Sequence, residues 1–285
     1  MKVVFFGSSK YSVIAANALH ENIKLCCVVT KSTSDAVKAF VSKKHIPLVI
    51  ADKIDSHIIK QIATYSPDFL VVADYGLIVP NDLLKLPKYA PLNIHHSLLP
   101  KYRGPTPAPS AILNGEKYSG VSIIIMIGKI DAGDILAQEK YKLKSEETTD
   151  SLLTQLNALG GKLIVAVLNN FDKYYAKRRK QNEQNTTPTP RLTKENGHID
   201  ILKIKNSIEI KNLKLKIKAY SPWPGVWFKT KLNGKEKVIK LLPDQKIQVE
   251  GKMPMSYRDF LNGYPEAKET MRVLQPDLTR GLKYD

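Results

Sequence analysis

The first half of the chain alternates short, nearly continuous apolar runs with stretches whose apolar residues recur at helical spacing. The apolar runs fall at residues 2–6, 24–29, 69–73 and 91–94, and residues 10–20, 35–44 and 55–65 between them carry the helical pattern. Two more strand-like runs follow at 119–127 and 135–143. A helix is predicted at about 149–170, with Thr148 or Thr149 as its cap. Strands apolar on both faces, alternating with amphipathic helices, predict a mostly parallel α/β sheet.

The pattern then breaks. Lys177-Arg178-Arg179-Lys180 leads into a polar, proline-containing stretch without an apolar residue, which reads as a linker over 177–191. This divides the chain into a domain over 1–176, the linker, and a smaller module over 192–285. In that module short strands are predicted at 226–231, 237–242 and 246–249, and a short helix near 256–262. Segment 207–219 fits two periods. Ile210, Leu213, Ile217 and Tyr220 follow helical spacing, whereas Leu213, Leu215 and Ile217 alternate like a strand.

Composition adds a partner class. The net charge is +17, and residues 171–285 hold 25 Lys and Arg against 13 Asp and Glu. A basic excess concentrated in the last third suits a polyanion such as nucleic acid, although a lysine-rich chain with solvated lysines has the same composition. No run approaches the roughly 20 apolar residues of a membrane helix. The N-terminus enters a strand-like run without a cleavable leader. The adjacent Cys26 and Cys27 have no metal-ligand spacing around them and read as buried thiols. These features predict a cytoplasmic protein without membrane attachment, and a monomer is the default.

The candidate chemistry follows the 91–94 run. In a strand, Asn93 and His95 share a face, placing an amide and an imidazole together at the C-terminal end of a parallel strand, where open α/β sheets bind ligands. Asp131-Ala132-Gly133-Asp134 forms a tight acidic turn whose carboxylate could reach the same crevice. Acyl transfer to an amine needs a proton acceptor, an oxyanion donor, and a group that sets the base's charge state. His95, Asn93 and Asp131 suit these roles in that order. A lone His or Asn at a strand end is usually structural, so the case rests on the three together.

The string Asn93-x-His95-x-Ser97-Leu98-Leu99-Pro100-x-x-Arg103-Gly104, with Asp131 36 positions after His95, resembles the signature of the folate-dependent formyltransferases. The resemblance covers nearly the whole chain. Ala73-Asp74-Tyr75-Gly76-Leu77-Ile78-Val79-Pro80 is similar to a loop of that family, with Asp74 as an extra residue. Leu192–Asp200 and Tyr220–Trp227 are similar to C-terminal segments of the members that formylate methionyl initiator tRNA.

The resemblance implies a Rossmann-like catalytic domain, a C-terminal β-barrel of the OB type that binds tRNA, and 10-formyltetrahydrofolate as donor. It implies that Asn93, His95 and Asp131 are catalytic. Ser97, Leu98, Leu99 and Pro100 would contact the folate, with Leu99–Pro100 cis. Tyr75, Gly76, Leu77, Ile78, Val79 and Pro80 would line its pterin pocket. Arg103 would sit near the acceptor or tie down its own loop. Lys177, Arg178, Arg179 and Lys180, with Lys211, Lys214, Lys216 and Lys218, are candidates for tRNA phosphate contact.

Other chemistries fit less well. Gly7 stands alone where a dinucleotide fingerprint has three glycines, so NAD is not expected. His95 and His96 face opposite ways in a strand, which argues against a metal and leaves His96 a structural residue. The alternative within the family is a sugar-nucleotide N-formyltransferase using the same donor. The chain departs from many tRNA-formylating members in two ways. Thr30–Asp35 leaves little room for a long basic loop after the second strand, and the C-terminal module is short for a full barrel.

Overall fold

The computed structural model describes residues 1–271. The chain divides into two compact units. The first comprises Met1–Ala108, Lys117–Leu143 and Ser151–Pro190; the second comprises Pro109–Glu116, Lys144–Asp150 and the chain from Arg191 onward. Residues 272–285, which would complete the C-terminal module, lie outside the described residues.

The elements run in order β1 (Val3–Phe6), α1 (Ser12–Ile23), β2 (Cys27–Thr30), α2 (Asp35–Lys44), β3 (Leu48–Ile50), α3 (Ser56–Ala63), β4 (Phe69–Val72), α4 (Asn81–Leu84), β5 (Ala90–His95), α5 (Pro107–Leu113), β6 (Tyr118–Ile125), β7 (Ile135–Lys142), α6 (Thr149–Asn169) and α7 (Phe171–Ala176). The seven strands form one sheet in the order β3-β2-β1-β4-β5-β6-β7. β1 to β5 are parallel, and β6 and β7 return antiparallel at one edge. Every residue of β1, β2 and β4 is buried, as expected of strands covered on both faces. The chain reverses its direction of winding between β1 and β4, which opens a crevice at the carboxyl ends of the strands.

β3 is a three-residue edge strand not anticipated from the apolar runs, with one buried residue. Only four residues separate β2 from α2, so the connection is as short as expected. Within it Ser34 Oγ donates to the Ser8 carbonyl (2.9 Å) and Ser32 N–H to Asp52 (3.0 Å).

α6 presses against β5 at Gly160, where a Cβ would lie 2.4 Å from Ile94 Cγ2. The missing side chain lets the helix back directly onto the strand that carries Asn93 and His95. By length and composition α6 could cross a membrane, but Leu152, Leu156, Ile164 and Val167 are buried within the protein, as in a core helix.

In the second unit, α8 (Ser207–Ala219) resolves the ambiguous segment as a helix. Asn206 Oδ1 accepts the Glu209 N–H (2.9 Å) and Glu209 accepts the Asn206 N–H (3.3 Å), a reciprocal capping box that starts it. Leu213 and Ala219 form its buried face. β8 (Val226–Leu232), β9 (Lys235–Leu242), β10 (Lys246–Val249) and β11 (Met255–Ser256) follow, then α9 (Tyr257–Gly263) and α10 (Lys268–Met271). Among the described residues these strands make a separate antiparallel sheet in the order β11-β10-β9-β8, consistent with the small C-terminal β-module expected from the sequence. The three ladders join consecutive strands, and α9 and α10 follow.

Candidate active site

β5 lies between β4 and β6, with Val72 and Ile124 flanking Asn93 and Ser122 beside His95. The hairpin turn from β6 to β7 brings Asp131 to the same place. Asn93 Nδ2 donates to Asp131 Oδ1 (3.1 Å), and Asp131 Oδ2 lies 3.5 Å from His95 Nδ1. The three residues predicted to meet are therefore adjacent, and Asp131 is their hub. Its second oxygen also accepts the Gly104 N–H (2.8 Å).

The His95 ring is buried and oriented from its far side, where Nε2 donates to the Tyr102 carbonyl (2.8 Å). A carbonyl can only accept, so the neutral ring carries its hydrogen on Nε2 and keeps a lone pair on Nδ1. The 3.5 Å separation from Asp131 exceeds a normal N–H···O bond, so Nδ1 remains available as a base beside a carboxylate.

The loop after β5 is clamped from the antiparallel strands. Ser122 Oγ donates to the Ser97 carbonyl (2.6 Å) and accepts the Leu99 N–H (3.1 Å) and Gln138 Nε2 (2.8 Å). Gln138 Nε2 also reaches the Leu99 carbonyl (2.9 Å). The Leu99–Pro100 bond is cis, as the resemblance implied. Across the crevice, Tyr75 is buried edge-on against Phe6 and donates to the Ala51 carbonyl (3.1 Å). Leu77 and Val79 pack into the core cluster, while Ile78 is 80% exposed. Ser8 Oγ donates to the carbonyls of Asp74 and Tyr75 and so anchors the start of this loop.

On the opposite face of the sheet stands a second polar group. His96 Nδ1 is 3.2 Å from Asp74 Oδ1, and Asp74 Oδ2 accepts from Asn157 Nδ2 (3.1 Å) and Ser9 Oγ (3.2 Å). Burial alone would push the His96 pKa down. The Asp74 charge and hydrogen bonding of the ring to Asp74 and Asn157 outweigh it, so His96 titrates above its usual range. Burial would likewise raise Asp74, but the His96 charge and its hydrogen bonds hold it below the usual carboxylate range.

A raised His contributes stability below its unfolded pKa of 6.5 and loses it as pH rises through the folded value. A depressed Asp contributes above its unfolded pKa of 3.8 and loses it as pH falls. Asp74→Asn should therefore cost about 2–3 kcal/mol between roughly pH 5 and 6, below the range for enclosed pairs, because 21% of the Asp74 side chain is exposed. The deficit should shrink toward pH 9. Urea midpoints of both proteins across that range check it, and a deficit constant with pH would contradict the ion-pair account.

Arg103 ties its own loop to the stretch after α7. It is buried, its NH1 and NH2 bind Glu183 (3.2 and 2.9 Å), and its Nε donates to Gln181 Oε1 (2.9 Å). Among the basic candidates, Arg178 pairs with Asp134 (3.1 Å) and stacks on Tyr175, and Arg179 donates to Gln138 (3.0 Å). Lys218 binds the Ser145 carbonyl (2.6 Å) and Glu146 (3.1 Å). Lys214 is half-buried and engaged with neighbours, and Lys216 reaches the His198 carbonyl (3.2 Å). Lys177, Lys180 and Lys211 are exposed.

The stretch that reads as a linker is anchored to the first unit. Arg179 pairs with Ile135 and Pro188 with Arg103 as isolated bridges, and Gln181 Nε2 donates to the carbonyls of Asp131 and Gly133 (both 2.8 Å). Sequence reasoning missed Gln181, Glu183, Thr187, Ser122 and Gln138. In the sheet Ser122 stands opposite His95 and Gln138 opposite Ser122, a register that strand alternation alone does not set. Among the described residues, no cluster of His, Cys, Asp or Glu could hold a metal ion.

Comparison with known proteins places these features in a family context. Residues 1–168 match the formyl transferase family model. A methionyl-tRNA formyltransferase of Halalkalibacterium halodurans is 32% identical over 92% of this chain and 95% of its own. One from Methylacidiphilum infernorum is 34% identical over 85% of this chain and 78% of its own. The crystal structure of a 4-N formyltransferase from Francisella tularensis superposes with a TM-score of 0.65, covering 85% of this chain and 97% of that one at 19% identity, a likeness of fold.

Proposed function

The chain belongs to the methionyl-tRNA formyltransferases of the formyl transferase family, and on that premise we propose that it transfers the formyl group of 10-formyltetrahydrofolate to the α-amine of methionyl initiator tRNA. One observation carries the reading. A single carboxylate, Asp131, holds the Asn93 amide and faces a His95 nitrogen that is left basic.

The methionyl amine titrates near 8 or below, so a neutral fraction exists at physiological pH. It attacks the formyl carbon, and the carbonyl π pair moves to oxygen. Asn93 has two amide hydrogens; one is held by Asp131, and the other stabilises the oxyanion. The new N–C bond leaves the nitrogen positively charged, and its proton passes to His95 Nδ1, directly or through one water. The Asp131 charge favours the resulting imidazolium. Collapse re-forms the carbonyl and breaks the bond to folate N10, which takes a proton from the imidazolium. The products are formyl-methionyl-tRNA and tetrahydrofolate. Much of the rate gain is positioning, which suits a loop as heavily clamped as residues 97–104. That loop and Tyr75–Pro80 flank the crevice and are the proposed folate contacts. The reaction belongs to the cytoplasm, where aminoacylated tRNA and reduced folate meet.

The deciding assay offers 10-formyltetrahydrofolate with methionyl initiator tRNA or with amino-sugar nucleotides. Formylation of the tRNA is expected; formylation of the sugar alone would assign the chain to the sugar-modifying branch. The exposed Lys177, Lys180 and Lys211 should supply phosphate contacts. Replacing all three with Ala should weaken tRNA binding and flatten the slope of log Kd against log salt by about two. Filter binding at several salt concentrations measures this, and an unchanged slope removes these lysines from the interface.

A further inference from the structure

We infer that Gln181 and Thr187 are positioning residues for this reaction, holding the two peptide groups on which Asp131 and His95 depend; the inference rests on the catalytic reading above. Two residues beside the reacting centre adopt left-handed backbone, Asp131 (φ 49°) and Tyr102 (φ 62°). For a residue with a side chain this conformation costs roughly 1–2 kcal/mol, so it persists only where its surroundings impose it. In both cases the polar stretch after α7 supplies a hydrogen bond to that residue's backbone.

Gln181 Nε2 donates to the carbonyls of Asp131 and Gly133, bracketing the turn from which the carboxylate projects. Gln181 is itself fixed through Oε1, which accepts from Arg103 Nε, and Arg103 is locked by Glu183. Thr187 Oγ1 accepts the Tyr102 N–H (2.8 Å), and the Thr187 carbonyl accepts the Arg103 N–H (2.9 Å). The carbonyl of Tyr102 is the group that fixes the His95 tautomer. The Thr189 N–H in turn binds the Arg103 carbonyl (2.7 Å), and the next N–H, that of Gly104, binds Asp131 Oδ2. The strap thus reaches the base through Tyr102 and the carboxylate through the Asp131 turn. Neither Gln181 nor Thr187 is hydrogen-bonded to the side chain of Asn93, His95 or Asp131.

Gln181→Glu keeps an acceptor for Arg103 and removes both N–H donors. It should lower kcat about 10- to 100-fold with KM for folate and tRNA nearly unchanged, the pattern of a misplaced group. Combined with Asp131→Ala it should add no further loss, because it acts through Asp131. Thr187→Val should lower kcat and move the acid limb of its pH profile to lower pH, since Tyr102 loses the Oγ1 anchor on its left-handed backbone and its carbonyl is then held to the strap only through the Arg103 N–H. Thr187→Ser should restore both. Multiplicative losses in the Gln181→Glu/Asp131→Ala pair, or a Thr187→Val profile of unaltered shape, overturn the positioning role. Full turnover in Asp131→Ala and His95→Ala alone would instead overturn the catalytic reading, so the two failures are distinct.

Discussion

His95→Ala is expected to lower kcat about 10³-fold, within the 10² to 10⁴ range of a positioned general base. The loss should fall on kcat rather than on KM, because the imidazole acts on a proton that moves only as the amine attacks. Folding should survive. The ring is buried against the Tyr102 carbonyl and Asp131, but the strand beneath it is held by ladders on both sides and backed by α6 at Gly160. Asn93→Ala should follow the same pattern with a loss of about 10²- to 10³-fold, the usual effect of one oxyanion donor. Single-turnover formylation with circular dichroism on the same samples measures both quantities. Near-normal turnover in His95→Ala would remove it from the mechanism.

Gly133→Ala should do comparable damage without touching any reacting group. A Cβ there would lie 1.7 Å from the Ile125 carbonyl oxygen, and that neighbour is backbone. It cannot swing aside, because the Ile125 N–H is bonded to the Asp134 carbonyl (3.0 Å) across the same hairpin neck. The neck must open, and Asp131 two residues away moves with it. A displacement of about 1 Å at a reacting centre costs about 10²-fold in rate, and overpacking of this kind costs about 1–3 kcal/mol of stability. Gly263→Ala, with open space at its Cβ, is the control expected to leave kcat unchanged. Wild-type kcat in Gly133→Ala would mean that the hairpin neck does not set the position of the carboxylate.

The parallel sheet was readable because its strands are covered on both faces and so run nearly uninterrupted in Val, Ile, Leu and Phe. β3 escaped notice because it is short, lies at the edge and buries one residue. α8 could have been assigned from Asn206 and Glu209, whose spacing is that of a capping box, but its apolar residues satisfy two periods at once. Strand alternation and an acidic turn suggested that Asn93, His95 and Asp131 could meet, and the resemblance to the formyltransferases was what assigned them. Their supports were not legible. Gln181 and Thr187 lie in a stretch whose polarity is what a solvated connector would have, and polar side chains bonding to a neighbouring backbone leave no periodic trace. Asp74, an apparent insertion in its loop, answers His96, a pairing between residues 22 positions apart that only the folded sheet creates.

The strap also moves the boundary of what counts as a complete catalytic body. A version of the protein ending after α7 would retain every strand of the large sheet, yet its hairpin tip and its Tyr102 peptide would lose their outside anchors. One ending at Pro190 would retain them. Trimming, fusion or grafting of this scaffold should therefore treat the fourteen residues after Ala176 as part of the chemistry, not as spacer to be shortened at will.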